Sequence, residues 1–345
     1  MLDNPKIDEI DARILKNLLK EARTTFTDIA AECGISVSAV RVRFERLKKE
    51  KVITGEIMQV NPKAIGYNFV ADLGITTNIE DEKEVLEFLR ANPYTAMSGP
   101  APFWKSNIGT FTVLPSVEKL AQIQEEIEAN PRIKSLETMI WVETTNMDLP
   151  ENLLIHPALD DKKQPIKVLY PATSYVSSVK IDQNDLEIAK TLVRNARKPF
   201  KKIAEELNIS TKNVIQRYSR LKDKLLTLST ITVDLKKLGY NAMANVFIKV
   251  ANKSEIPAIY SQILEIPNVI VIIRIIGRYD LRFMVALRDF EDLFKVKEQV
   301  RKVKGIEESE FVIHKPFREW PLNVFASLIL DEKKAPLITS PSRKN

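Results

Sequence analysis

Residues 34–50, GISVSAVRVRFERLKKE, combine a turn, a cap and a two-faced helix, and the organisation of the chain can be read outward from them. Gly34 gives the backbone access to the left-handed region that a sharp turn between helices needs. Ser36 stands where a side-chain oxygen caps the first amides of a new helix. Val40, Phe44 and Leu47 follow at steps of four and three, a stripe that can be buried. Ser38, Arg41, Arg46, Lys48 and Lys49 take the other side. Arg43 lies between the two, able to pack its stem and offer its guanidinium to a phosphate. Taken alone, the same pattern describes a solvated surface helix.

Context comes from the residues before it. In IDEIDARILKNLLKEARTTFTDIAAEC (7–33), Ile7, Ile10, Ile14, Leu15 and Leu18 mark one apolar helical face, and Phe26, Ile29 and Ala30 mark a second. Three helices with an abrupt turn before the last make a helix-turn-helix, the layout that lets a final helix enter a major groove.

The design returns after 174 residues without a gap. Ile7, Asp8, Asp11, Ile14, Ser36, Arg43, Arg46 and Lys48 recur as Ile181, Asp182, Asp185, Ile188, Ser210, Arg217, Arg220 and Lys222. Gly34 becomes Asn208, the other residue that tolerates a left-handed backbone. Lys198, Lys201, Lys202 and Lys212 make the second copy more basic. Two copies at so long a period mean a duplicated multi-element unit and not a solenoid.

Each helix-turn-helix is followed by a stretch read as a strand pair and connector, VITGEIMQVNPKAIGYN (52–68) and LLTLSTITVDLKKLGYN (225–241). Beyond these the apolar period alternates in the order strand, helix, strand, strand, helix, strand, the split arrangement of a ferredoxin-like fold. The expected fold class is therefore α+β, with two winged-helix-like helix-turn-helix domains at 1–60 and 180–236. Ferredoxin-like βαββαβ domains follow each, at 66–145 and 240–320. Residues 146–179 read as a linker with some packed apolar residues, such as Leu153, Leu154 and Ile155. Residues 321–345 read as a tail, with a short strand at NVFASLIL (323–330) and a disordered end.

With 345 residues, 44% hydrophobic and 28% charged, the chain has the composition of a globular protein of two or more domains. A formal charge of +6 permits an anionic partner. Cys33, the one cysteine, excludes an intramolecular disulfide and any cysteine cluster, and reads as a buried thiol. No apolar run approaches the roughly 20 residues needed to cross a bilayer, and no secretory signal opens the chain, so no membrane partner and a cytoplasmic location are expected. There is no phosphate-binding glycine loop, nucleophile motif or metal-ligand spacing. No cofactor, no metal and no enzymatic activity are expected.

IDEIDARIL, EARTTFTDIA and GISVSAVRVRFERL followed by VITG resemble the N-terminal domain of the Lrp/AsnC family of transcription regulators. The ferredoxin-like halves resemble that family's ligand-responsive dimerisation domain. The resemblance runs twice through nearly the whole chain. It implies regulation of transcription through double-stranded DNA, a small effector such as an amino acid, and homo-oligomers. The two halves of one chain would pair as a pseudo-dimer that pairs again. It also implies an effector site at the hairpin GRYDLRF (277–283), where Gly277, Arg278, Tyr279 and Asp280 match the family's motif. Glycine and aspartate are equally good hairpin-turn residues without any ligand. The first copy departs from the motif: SGPAPFWKSNIG (98–109) has two prolines, no aspartate, and Phe103 and Trp104, which read as an interface or core plug.

On this reading Val37, Ser38, Arg41 and Val42, with Thr211, Lys212, Ile215 and Gln216 in the second copy, reach base edges. Arg43, Arg46, Lys48, Arg217, Arg220 and Lys222 hold phosphates. Two alternatives remain. Siroheme decarboxylases resemble this family, but their polycarboxylate substrate calls for clustered basic and imidazole groups, and this chain has only His156 and His314. The third reading is a sensor or interaction protein that has lost DNA contact.

Overall fold

A computed structural model of the chain describes residues 6–103, 106–142, 144, 147–159 and 179–331, with side chains at all of these except 100–103. In chain order the elements are α1 (Glu9–Lys20), α2 (Phe26–Cys33), α3 (Val37–Lys49), β1 (Ile53–Val60), β2 (Phe69–Thr77), α4 (Glu82–Ala91), β3 (Thr95–Phe103), β4 (Ser106–Leu114), α5 (Val117–Glu128) and β5 (Ile133–Trp141). The second copy supplies α6 (Gln183–Arg194), α7 (Phe200–Leu207), α8 (Thr211–Leu221), β6 (Leu226–Val233), β7 (Ala242–Val250), α9 (Ile256–Leu264), β8 (Val269–Ile276), β9 (Leu281–Leu287), α10 (Phe290–Lys302) and β10 (Ile306–His314), followed by α11 (Ser327–Leu330). The α+β class and the duplicated βαββαβ order stand as the periodicity indicated.

Local chemistry sets the helix ends. Asp8 and Asp182 open their helices with reciprocal capping boxes to Asp11 and Asp185. Ser36 accepts from the Ala39 amide and Ser210 from the Asn213 amide, both at 3.1 Å. Gly34 (φ 65) and Asn208 (φ 53) both adopt the left-handed turn conformation.

The chain divides into two compact units, and each draws on both sequence copies. The first gathers the described residues within 1–57, 146–173 and 229–322. Here the first helix-turn-helix shares a unit with the second ferredoxin-like domain, whose strands run β10-β7-β9-β8 with antiparallel neighbours. Ile248, Ile259, Ile263, Phe283 and Val296 fill the core between this sheet and helices α9 and α10. Thr230 Oγ1 donates to the Leu19 carbonyl at 2.7 Å, and the Ala22 amide donates to Ser229 at 2.9 Å, fixing the end of α1 on β6. Beside it, the hydroxyls of Thr54 on β1 and Thr232 on β6 lie 2.8 Å apart. The expected strand pair in each copy is thus corrected: each copy supplies one strand, and β1 and β6 form a two-stranded sheet. A lone strand leaves its backbone groups unpaired, and the other copy offers the complementary edge.

Part of the expected linker is a strap within this unit. The Leu149 amide donates to Ile270 at 2.9 Å, and Leu149 joins the sheet's core. Asn152 Nδ2 donates to the Val269 and Ile266 carbonyls at 2.8 and 3.2 Å. Leu153, Ile155 and Leu159 are buried, and Lys16 on α1 donates to the Leu159 carbonyl at 3.3 Å. The charge cluster at 160–163 lies outside the described residues.

The second unit gathers the described residues within 58–145, 174–228 and 323–345, pairing the second helix-turn-helix with the first ferredoxin-like domain. Its strands run β5-β2-β4-β3, over a core of Leu73, Ile75, Val85, Leu89, Ile123 and Ile127. The Asn61 amide donates to Leu225 at 2.8 Å, and Asn61 Nδ2 donates to Lys224 at 3.0 Å, anchoring the end of α8. β3 runs through Pro100 and Pro102, which a strand tolerates at a sheet edge. The strand expected at 323–330 is instead a turn and the short helix α11, a second correction. Asn323 donates to the Met58 carbonyl at 3.0 Å and Ser327 to Ala96 at 3.0 Å, while Phe325 meets Trp141 edge-on at 6.0 Å. Alternation at 323–330 is too short to separate strand from helix, and burial of Leu328 and Ile329 favours the helix. The interface or plug expected of Phe103 and Trp104 falls outside the described side chains, as does the expected disorder of the last residues.

Asn152→Ala removes the amide that satisfies the carbonyls where α9 meets β8. It should cost about 1–3 kcal/mol in chemical denaturation, with amide exchange at Val269–Ile272 accelerating first. Unchanged exchange there would show that the strap is not part of the unit.

Candidate nucleic-acid interface

Helix α3 buries Val40, Phe44 and Leu47 and turns the rest of its surface outward. Val37 is 39% exposed and Val42 69%, with Ser38 and Arg41 also exposed. Arg41 lies over the Phe26 ring, 5.6 Å from its centroid. Helix α8 buries Val214 and Leu221 and exposes Lys212, Ile215 and Gln216, with Thr211 half-buried at its first turn. The eight residues expected at base edges therefore share the starts and outer faces of two equivalent helices.

The arginines expected on phosphates are used differently. The Asp11 side chain has 0% exposure and sits between two guanidiniums. Arg43 Nη1 donates to Asp11 Oδ1 at 2.8 Å and to Asp8 Oδ2 at 2.7 Å, and Arg46 Nη2 donates to Asp11 Oδ2 at 2.5 Å. The second copy repeats this clasp. Arg217 Nη1 donates to Asp185 Oδ1 at 2.8 Å and to Asp182, and Arg220 donates to Asp185 Oδ2. Lys48 pairs with Glu56 at 2.9 Å and stands over the Phe44 ring. Arg43, Arg46, Arg217, Arg220 and Lys48, expected on phosphates, thus pair with carboxylates of their own unit, and the guanidiniums compensate the buried Asp11 and Asp185. Lys222, at the end of α8, stays exposed. The partners were missed because Asp11 and Arg43 are 32 residues apart, beyond any helical periodicity.

Burial opposes the Asp8 charge, but the Asp11 amide and the Arg43 guanidinium outweigh it and hold the carboxyl below its ordinary value of 3.8. Asp182 is lowered likewise, against burial, by Arg217 and the Asp185 amide. Hydrogen bonds to Asp8 and Asp11 raise Arg43, and the bond to Asp11 raises Arg46. Cys33 is half-buried where burial was expected, and desolvation pushes its thiol upward.

At the hairpin between β8 and β9, two of the four expected ligand residues point inward. The Tyr279 side chain is buried beside Phe247, and its hydroxyl donates to Glu310 at 2.5 Å. Burial first, then this hydrogen bond, raises the Tyr279 hydroxyl far above its ordinary range. Asp280 is 4% exposed, accepts from the Val250 amide at 2.9 Å and pairs with Lys253. Both side chains thus have partners within the unit that help close the turn. Gly277 and Arg278 remain at the surface.

Residues 7–54 match the profile of a winged helix-turn-helix DNA-binding domain, and residues 181–222 match that of an AsnC-type helix-turn-helix domain. An uncharacterised HTH-type transcriptional regulator of Pyrococcus abyssi is 32% identical over 138 residues, 39% of this chain and 92% of that one. The chain belongs to the Lrp/AsnC family. It carries the family's design twice in tandem. LrpA, an HTH-type transcriptional regulator of Pyrococcus horikoshii, is 45% identical over 84 residues, 24% of this chain and 60% of LrpA. The match thus spans less than two thirds of that curated relative. A solved siroheme decarboxylase, NirDL, superimposes with a TM-score of 0.59 over 93% of this chain and 97% of that one, at 16% identity, a likeness of fold alone.

Within the Lrp/AsnC design, the clasp sets how each recognition helix leans on the first helix of its domain. Since Asp8 and Asp182 bind protons less readily folded than unfolded, their stabilisation is complete above the ordinary aspartate value and is lost as pH falls through their lowered folded values. Urea denaturation should therefore show stability dropping below pH ~4, and Arg43→Ala should flatten that slope. Equal slopes for both proteins would remove the clasp from the account.

Proposed function

We propose that this chain binds double-stranded DNA through α3 and α8 and regulates transcription, responding to a small effector such as an amino acid and acting as a homo-oligomer. One observation carries the reading: both recognition helices keep their starts and outer faces open while the opposite faces are fully used in packing. An exposed apolar residue costs solvation wherever it stands, so Val42 and Ile215 on these faces suit a surface that meets base edges.

Charge is supplied unevenly. Lys201, Lys202 and Lys212 are exposed around the helix-turn-helix of the second unit. Each cation on a phosphate releases about 0.9 counterion, so Lys201→Gln with Lys202→Gln should reduce the slope of log affinity against log salt by about 2. Measured on genomic duplex fragments, a slope that does not change would show that these lysines lie off the backbone, and binding that ignores salt altogether would refute the DNA reading.

The effector part of the proposal concerns the exposed end of the β8–β9 hairpin. Arg278 stands over Tyr279, 5.3 Å from the ring centroid and 3.7 Å from Glu308, so a ligand carboxylate that reached it would share the guanidinium with Glu308. An amino acid that alters DNA affinity should lose about tenfold or more in potency with Arg278→Ala, read by titration at fixed duplex concentration. Equal potency would move the effector elsewhere.

Both imidazoles have local backbone contacts. His156 Nδ1 accepts from the Ala158 amide at 3.2 Å, and burial lowers the pKa of His314, whose Nδ1 lies 2.9 Å from the Lys315 carbonyl. Among the described residues, no group of three or more His, Cys, Asp or Glu side chains could hold a metal ion, and no helix is long and apolar enough to cross a membrane.

A further inference from the structure

Among the positions expected at base edges, the two copies differ in kind on the outer face of each helix. Arg41 and Val42 on α3 correspond to Ile215 and Gln216 on α8. All four are exposed. Arginine donates bidentately to guanine O6 and N7, glutamine pairs with adenine N6 and N7, and an aliphatic side chain covers the thymine methyl. The order of polar and apolar readers is thus inverted between the helices. Stacking over Phe26 narrows the orientations of Arg41, so less entropy is lost when its guanidinium meets a base.

The first turn of the preceding helix differs as well. In the second copy it presents Lys201 and Lys202, both exposed. The same positions in the first copy are Thr27 and Asp28, and the Asp28 carboxylate is fixed by the Thr25 hydroxyl at 2.6 Å. A phosphate beside these positions would attract lysine and repel aspartate. Phosphate affinity therefore belongs mainly to the second copy.

Resting on the DNA reading above, we propose that one chain reads two unlike half-sites. Helix α3 selects a guanine through Arg41, and α8 selects a thymine and adenine through Ile215 and Gln216 while its neighbouring lysines anchor the duplex. The site of each chain is then directional, with two unlike halves, which two identical helix-turn-helix copies cannot give.

Selection of bound sequences from a random duplex library, using the full chain, tests this. The wild type should enrich a two-part site with unlike halves. Arg41→Ala should cost about tenfold or more in preference for guanine in one half and leave the other half unchanged. The double substitution Ile215→Arg with Gln216→Val, which gives α8 the arginine–valine pair of α3, should bring a guanine preference into the second half. These side chains are exposed, so the folded core is untouched. Two like halves for the wild type, or a guanine preference that survives Arg41→Ala, would overturn the proposal and leave DNA binding standing. No enrichment of any duplex by the wild type would overturn the DNA reading and this inference with it.

Discussion

A carboxylate shut away from water between two guanidiniums decides the pose of each recognition helix. Asp11 receives Arg43 and Arg46 from α3, and Asp185 receives Arg217 and Arg220 from α8. Both aspartates also accept the amide of the preceding cap, Asp8 or Asp182, so one side chain closes a helix terminus and ties a second helix to it. Taking such a carboxylate out of water is expensive, and the charge is tolerated because its partners are complete. If both arginines left, the carboxylate charge would be buried without a cation. The angle between first and third helices is thereby held by directional bonds as well as by the stripe of Val40, Phe44 and Leu47. What remains outward is a face free for other contacts.

Above that scale, each unit is assembled from both copies. Among the described residues, those that follow a copy's last ferredoxin-like strand pack onto the units. Those at 147–159 lie along β8 and reach α1, and those at 323–331 reach β3 and α6. In both cases the strap joins a ferredoxin-like sheet to the helix-turn-helix of the other sequence copy. Hydrophobic burial drives this, since Leu149, Leu153 and Ile155 in one strap and Phe325, Leu328 and Ile329 in the other are buried. A ferredoxin-like domain and the recognition helix sharing its unit are therefore not neighbours in sequence, and the Lrp/AsnC repeat does not by itself say which sheet accompanies which helix.

Features with local causes were legible in the sequence, and those with distant causes were not. Apolar steps of three and four located α1 to α3 and α6 to α8, and Ser36 with Gly34 marked the turn to within a residue. The strands and helices of the second ferredoxin-like domain followed from changes of period alone. The clasp did not, because Asp8 and Arg46 look like ordinary surface charges until the fold brings them together. The β1–β6 pair was hidden for the same reason: an alternating segment shows that an edge exists and not which edge it meets. At the hairpin, Asp280 fitted a ligand motif and a turn equally well, and only burial and the Val250 amide separated the two. Pro100 and Pro102 disguised the far end of β3, because an edge position, which makes them harmless, is a property of the sheet.

The duplicated architecture, the clasps and the open outer faces of α3 and α8 are the structural ground for the proposed pair of unlike readers. A crystal structure of the chain on duplex DNA is the most direct test. The account predicts α3 and α8 in major grooves with Arg43, Arg46, Arg217 and Arg220 still on Asp11 and Asp185. A complex in which those arginines have left their carboxylates for phosphates, or in which both helices lie away from the duplex, would contradict it.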